Sequence, residues 1–142
     1  MEDHARDPLA ERLRLAELAA LDLYAVYLGE RLGLYRELAA GGSATFPELA
    51  ARAGIAERYA REWLEQQAVT GFLEVEDAGA PAVERRYLLP EAHVAALVDR
   101  DGIEFSTHRA VDVVRGGRRL PDLVEAFRTG GGIPPLPWEP EG

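Results

Sequence analysis

"ERYAREWLEQQAVTGFLEV", residues 57–75, changes periodicity partway along. Ala60, Trp63, Leu64 and Gln67 recur at three- and four-residue spacing, which predicts a helix from Glu57 to Thr70 with that face as core beneath a hairpin. Gly71 ends the helix, and "FLEVE" (72–76) opens a strand directly after it. Just upstream, Thr45 and Glu48 stand at capping-box spacing before "ELAARAG" (48–54), a short helix stopped by Gly54, with "IA" as the turn. Downstream, "ERRYLL" (84–89) returns across the turn-rich "DAGAPA" (77–82), and Pro90 closes the hairpin. Two helices joined by a short turn, the second feeding a hairpin, predict a winged helix-turn-helix of the α+β class, mostly α. Ala56 is a weak N-cap for the second helix, at a cost on the order of 1 kcal/mol relative to serine, threonine or aspartate.

Helices flank this core. Asp7 before Pro8 is a strong start, and the helix is predicted to run to about Leu28. Leu9, Leu13 and Ala16 form one stripe of its first half, with Glu11, Arg12, Arg14 and Glu17 elsewhere. From Leu18 the polar face vanishes: "LAALDLYAVYL" (18–28) has Asp22 as its only charge. A helix apolar all round must be covered all round. The domain covers one side, so the other needs a second chain or domain: it is read as a two-fold dimer through Leu18, Leu21, Ala25 and Leu28, with docking on a catalytic domain as the alternative. A further helix is predicted over "ERLGLYRELAA" (30–40), ended by Gly41 and Gly42. Asp101 and Glu104, again at capping-box spacing, predict a helix through "EFSTHRAVDVV" (104–114) that Gly116 and Gly117 terminate, and Pro121 opens "PDLVEAFR" (121–128). The tail "GGGIPPLPWEPEG" has the glycine and proline content of a linker. The expected organisation is N-terminal dimerisation helices over 1–42, the winged core over 43–99, connector helices over 100–129 and a linker over 130–142.

Composition narrows the chemistry. The chain has 142 residues and no cysteine, which excludes disulfides, thiolate metal sites and a cysteine nucleophile. No apolar run approaches the roughly 20 residues of a membrane span, and "MEDHARD" (1–7) lacks the order of a signal peptide, so a cytoplasmic location is expected. All 16 basic residues are arginine, as GC-rich codon usage favours. Net charge is −9, spread evenly: residues 1–42, 43–89 and 90–142 each carry three more acids than bases. DNA affinity comes largely from basic faces that neutralise phosphate, and no third of this chain is net positive. On the predicted recognition helix Arg58, Arg61 and Gln66 could contact DNA, but Glu57, Glu62 and Glu65 share that helix.

Few residues suggest catalysis. Asp101, Glu104 and His108 fall at metal-ligand spacing on one helical face, but the capping box accounts for two of them and a fourth ligand is missing, so no metal is assigned. Asp22 is read either as a functional carboxylate or as a structural group bonded to a hydroxyl, such as that of a nearby tyrosine. With only Ser43 and Ser106 as serines, no hydrolase constellation has a local signature.

"YLGERLGLYRELAA" (27–40), "ELAARAG", "ERYAREWLEQQAVTGFLEV", "RYLLPEAHVAALVD" (86–99) and "AFRTGGGIP" (126–134), in that order, resemble the N-terminal region of a bacterial family of class I S-adenosylmethionine-dependent methyltransferases. The resemblance spans nearly the whole chain, and "RYAREWLEQQA" (58–68) is its most specific part. It implies a module similar to that of small-molecule O-methyltransferases, in which a winged helix dimerises and roofs the substrate pocket ahead of a Rossmann-like catalytic domain. On that resemblance Tyr24, Tyr27, His108, Phe127 and Arg128 are candidates to cap a substrate. Interface packing is the alternative for the two tyrosines, and a solvated pair with Arg109 is the alternative for His108. Such enzymes hold the cofactor on a glycine-rich strand-to-helix turn. Gly130–Gly132 follow a helix and precede proline, so no catalytic residue and no cofactor contact is assigned to this chain. S-adenosylmethionine enters only through a catalytic domain, which would also bring the small-molecule substrate. The alternatives are a stand-alone DNA-binding regulator and an interaction module for a separately encoded methyltransferase subunit.

Overall fold

The computed structural model describes residues 7–135 and 137. Asp7 accepts the Leu9 N–H at 2.9 Å and Pro8 takes the first turn of α1, Pro8–Arg31, a 24-residue rod about 36 Å long. It ends one turn later than predicted. The break falls at Leu32 and Gly33, where Gly33 adopts a left-handed conformation (φ 71°), and α2 spans Leu34–Gly41. The capping box of α3, Phe46–Ala53, is complete: the Glu48 N–H donates to Thr45 Oγ1 (3.4 Å) and the Thr45 N–H to Glu48 Oε2 (3.0 Å). Helix α4, Glu57–Val69, starts at Ala56 without a side-chain cap.

The wing is smaller than its sequence suggests. Strands β1 (Glu74–Val75) and β2 (Tyr87–Leu88) pair antiparallel, with Glu74 opposite Leu88 and Val75 opposite Tyr87. Ala44, just before α3, exchanges two 2.9 Å backbone hydrogen bonds with Tyr87 and so continues the pairing on the other side of β2.

The C-terminal third departs further from expectation. Glu91–Leu97 form α5, a helix the sequence reading passed over. Asp101 and Glu104 do not start a helix: the Ser106 N–H donates to the Ala96 carbonyl (2.8 Å), tying the segment back to α5, and α6 begins only at His108 and runs to Gly117. Asp101 and Glu104 therefore lie off the helix that carries His108. Gly116 and Gly117 are the last residues of α6 rather than a left-handed stop, and a short turn at Arg118 and Arg119 leads into α7, Leu120–Thr129. Gly130 (φ 72°) caps α7. The expected linker 130–142 lies partly outside the described residues. Among the described residues no helix is long and apolar enough to cross a membrane.

The core gathers Leu34, Tyr35 and Leu38 of α2, Leu49 of α3, Ala60, Trp63 and Leu64 of α4, Leu73, and Tyr87 of the wing. As the spacing predicts, Ala60, Trp63, Leu64 and Gln67 are all buried. Trp63, however, packs towards α1 as well: its ring meets Tyr35 edge to face (centroids 5.2 Å, 62°), and its Nε1–H donates to the Ala25 carbonyl at 2.9 Å. Both rings close on Gly29. A Cβ there would lie 2.5 Å from Tyr35 Cε2 and 2.7 Å from Trp63 Cζ2, distances no methyl group tolerates.

Polar groups are matched inside this contact. Tyr35 Oη donates to Gln67 Oε1 (2.5 Å), Gln67 Nε2 to Gln66 Oε1 (2.7 Å), and Gln66 Nε2 to Asp22 Oδ1 (3.2 Å). Asp22 is thus bonded to an amide, with a tyrosine hydroxyl at the far end of the chain. Burial, and then the charge of nearby Glu30, push the Tyr35 hydroxyl pKa well above its ordinary value.

Two helical glycines should respond oppositely to the same change. Gly29→Ala should destabilise the fold by about 1–3 kcal/mol through overpacking. Gly116→Ala, whose Cβ would meet nothing within 4 Å, should stabilise it by about 0.5–1 kcal/mol. Thermal unfolding of the two variants beside the wild type checks both signs.

Candidate functional site

Three surfaces can carry function, and α1 belongs to two of them. The first is the outer face of α4 with the wing. Arg61 is held by Glu65 (Nε to Oε1, 2.8 Å), and Gln66 is half-buried between Asp22 and Gln67. Gln66, a candidate contact only in the DNA-binding alternative, has its amide bonded on both sides, to Asp22 and to Gln67. Arg58 is exposed. The two wing arginines serve the wing itself. Arg86 donates to Glu48 (2.9 Å), to Ser43 Oγ (3.1 Å) and to the Ser43 carbonyl (2.9 Å), while Arg85 Nε donates to the Ala80 carbonyl (2.8 Å). The Arg86 hydrogen bond, followed by the Thr45 N–H, holds the Glu48 carboxyl below its ordinary pKa.

The second surface is the outer face of α1. Val26, Gly29 and Glu30 point inward, so the helical phase leaves Leu18, Leu21 and Leu28 about half exposed, at 46%, 50% and 48%. Leu32, which the sequence reading left out, extends the row at 45%, and Ala25 is half-buried within it. The spacing 18, 21, 25, 28, 32 is that of alternating three- and four-residue steps along a helix-pairing seam. Tyr24 and Leu28 share a groove with Val113 of α6 and Leu120 of α7, and Leu120 in turn borders Leu123, Val124 and Phe127. The exposed apolar surface therefore runs from α1 across α6 onto α7.

The third surface is a cleft of about 560 Å³ between α1 and α6. At its floor lies Glu30, almost buried on the last turns of α1. Its carboxylate receives hydrogen bonds from Arg36 (3.3 Å), from the buried Thr107 hydroxyl (3.2 Å) and from Arg100. This cluster fastens α1 to α2 and to the start of α6. Tyr27 and His108 line the same cleft, and the Phe105 and His108 rings stand 6.1 Å apart. The five pocket candidates are thus divided: Tyr27 and His108 meet in the cleft, Tyr24 lies in the neighbouring groove with Tyr27, and Phe127 (85% exposed) and Arg128 sit apart on α7.

The serines and His93 are engaged with the backbone or with other side chains. Ser106 Oγ donates to the Glu104 carbonyl, Ser43 Oγ accepts from Arg86, and His93 Nδ1 is 2.9 Å from the Phe72 carbonyl. Among the described residues no three histidines or carboxylates gather as metal ligands would. Nor do these residues fit S-adenosylmethionine: the only sheet is the two-stranded antiparallel wing, and Gly130 serves as the C-cap of α7.

A helix-turn-helix, a wing and flanking helices at both ends define a winged helix-turn-helix domain. The chain belongs to the Rv2258c-like winged HTH domain family, whose model matches residues 19–100. No curated protein matches it in sequence. Among solved structures it is similar to human N-acetylserotonin methyltransferase in complex with SAM, with a TM-score of 0.68 at 18% identity over 91% of this chain and 37% of that one. PigF with SAH aligns with a TM-score of 0.64 at 21% identity, over 83% of this chain and 32% of the other. The N,N-8-amino-8-demethyl-D-riboflavin dimethyltransferase RosA from Streptomyces davawensis aligns with a TM-score of 0.62 at 23% identity, over 89% and 35%. At these identities the likeness is one of fold. The chain spans about a third of the length of each of these structures.

The wing should weaken in acid. Because the folded-state pKa of Glu48 is lowered, its contribution is present above the ordinary carboxylate pKa and is lost as pH falls through the folded value. Melting temperatures between neutral pH and pH 3 should therefore fall more steeply for the wild type than for Glu48→Gln. Equal slopes would show that the Arg86–Glu48 pair does not contribute.

Proposed function

We propose that this chain is the dimerisation and substrate-pocket-capping module of an S-adenosylmethionine-dependent small-molecule methyltransferase. The observation that carries the reading is the exposed leucine row of α1, continued across α6 and α7. Its length exceeds what a winged helix needs for its own core, and contiguous apolar surface of this kind marks an interaction site. The fold likeness to methyltransferases supports it, since it embraces these flanking helices as well as the winged core.

In this reading two copies pair in the cytoplasm through Leu18, Leu21, Ala25, Leu28 and Leu32, because one self-complementary patch then serves both partners. Tyr27 and His108 face the pocket, Tyr24 faces the groove beside it, and Phe127 and Arg128 on α7 face a Rossmann-like catalytic domain. That domain, joined or separate, holds the cofactor and completes the site for a small-molecule acceptor. Burial at roughly 25 cal/mol per Å² drives the pairing against the cost of association. A DNA-reading role is disfavoured by charge: residues 57–70 carry three carboxylates and two guanidiniums, and Arg61, Arg85 and Arg86 already have partners.

Sedimentation at tens of micromolar should give a dimer. Leu21→Asp combined with Leu28→Asp should give a monomer that keeps its helical circular dichroism. A monomeric wild type would overturn the homodimer and reassign the leucine row to a catalytic domain. A retardation assay over a genomic fragment library should show no specific shift at physiological salt. A tight, salt-sensitive site lost on Arg58→Ala would favour the regulator instead.

A further inference from the structure

We propose that the cleft between α1 and α6 binds a small planar aromatic carboxylate, with Arg31 and Arg115 receiving its charge. This rests on the pocket-capping reading of the same surface and adds the class of ligand.

Charge is the first ground. The chain carries −9 overall, yet five guanidiniums line this one cleft against two carboxylates, Glu30 and Asp112. Glu30 is already matched by Arg36, Arg100 and Thr107, so it does not neutralise Arg31 or Arg115. Arg31 and Arg115 make no hydrogen bond or ion pair with any described residue. Each lies in the last turn of its helix, where the helix dipole favours a cation. The dipole accounts for one arginine at each end; it does not account for their convergence on one cavity.

The shape and lining specify the rest. Tyr27, Phe105 and His108 present rings to the cavity, and Phe105 and His108 are tilted by only 30°. Aromatic faces and guanidinium planes stack on planar ligands, and a guanidinium fork matches a carboxylate in a bidentate pair. At about 560 Å³ the cavity has the size of a small-molecule site. Inorganic phosphate would use the charge and leave the rings unused, whereas a neutral aromatic would do the opposite.

The test titrates the 142-residue chain with 2-naphthoate, 2-naphthamide and inorganic phosphate, following binding by calorimetry and by amide chemical-shift changes. Naphthoate should bind saturably and shift residues of α1 and α6, with the amide and phosphate each weaker by about tenfold or more. Arg31→Gln with Arg115→Gln should weaken naphthoate by at least about tenfold. Arg58→Gln on α4 should leave it unchanged, and unchanged melting temperatures establish that the variants are folded. Equal binding of acid and amide, equal binding of phosphate, no binding of naphthoate, or indifference to the double substitution would each overturn the proposal. Its failure is separable from that of the capping module. A monomer that binds naphthoate through Arg31 and Arg115 keeps the cleft and overturns the dimeric cap. A dimer that ignores naphthoate does the reverse.

Discussion

Gly29 lets two aromatic rings rest against the backbone of α1, and the orientation of every other surface follows from that contact. Tyr35 and Trp63 meet edge to face over it, and the Trp63 N–H bonds the Ala25 carbonyl one turn earlier. Any side chain at position 29 would push the helix away from both rings. With this point fixed, the 3.6-residue repeat divides the second half of α1 into three faces. Val26 and Glu30 accompany Gly29 inward. Leu21, Leu28 and Leu32 turn outward, and Tyr27 and Arg31, four residues apart, look into the cleft beside α6. A rotation of one residue, about 100°, would bury the leucines and expose the carboxylate.

Glu30 makes that inward face more than a packing surface. An isolated buried carboxylate is costly, and the cost is offset only when donors saturate it. Arg36 comes from α2, Arg100 from the loop after α5, and Thr107 from the residue before α6. One carboxylate thus ties α1 to its neighbour α2 and to a segment 70 and more residues further along the chain. It also anchors the chain where α6 begins: Thr107 is fully buried with its hydroxyl on Glu30, and the preceding Ser106 N–H is bound to the Ala96 carbonyl of α5.

The legible parts of the sequence were those with local causes. The Asp7–Pro8 start, the Thr45–Glu48 capping box, the buried stripe of α4 and the glycine stops at Gly54 and Gly71 each depend on neighbours within a few residues. The misread parts were decided at a distance. Asp101 and Glu104 have the spacing of a cap, but the Ser106–Ala96 hydrogen bond takes their segment elsewhere. Gly116 and Gly117 resemble a stop and lie inside α6, because nothing near them requires a left-handed residue. The Gln66–Asp22 contact, between two helices, likewise has no local signature. The cleft was half visible: Tyr27 and His108 were candidates, while Arg31 and Arg115 join them only through the packing of α1 on α6.

The distribution of arginine accounts for how a DNA-reading scaffold can face a different task. In a winged helix that grips DNA, cations on the second helix and the wing remain available to phosphate. Here Arg61 is bound to Glu65, Arg86 to Glu48 and Ser43, and Arg85 to the wing backbone, so these cations hold the motif's own shape. Arg31 and Arg115, which have no partner among the described residues, lie instead on helices outside the motif, beside exposed leucines and aromatic rings, while Arg58 stays exposed on α4. Apolar surface and positive charge thus meet on α1 and α6. A ligand drawn to the two together must be part apolar and part anionic, and small enough for a cleft between two helices, which a duplex is not.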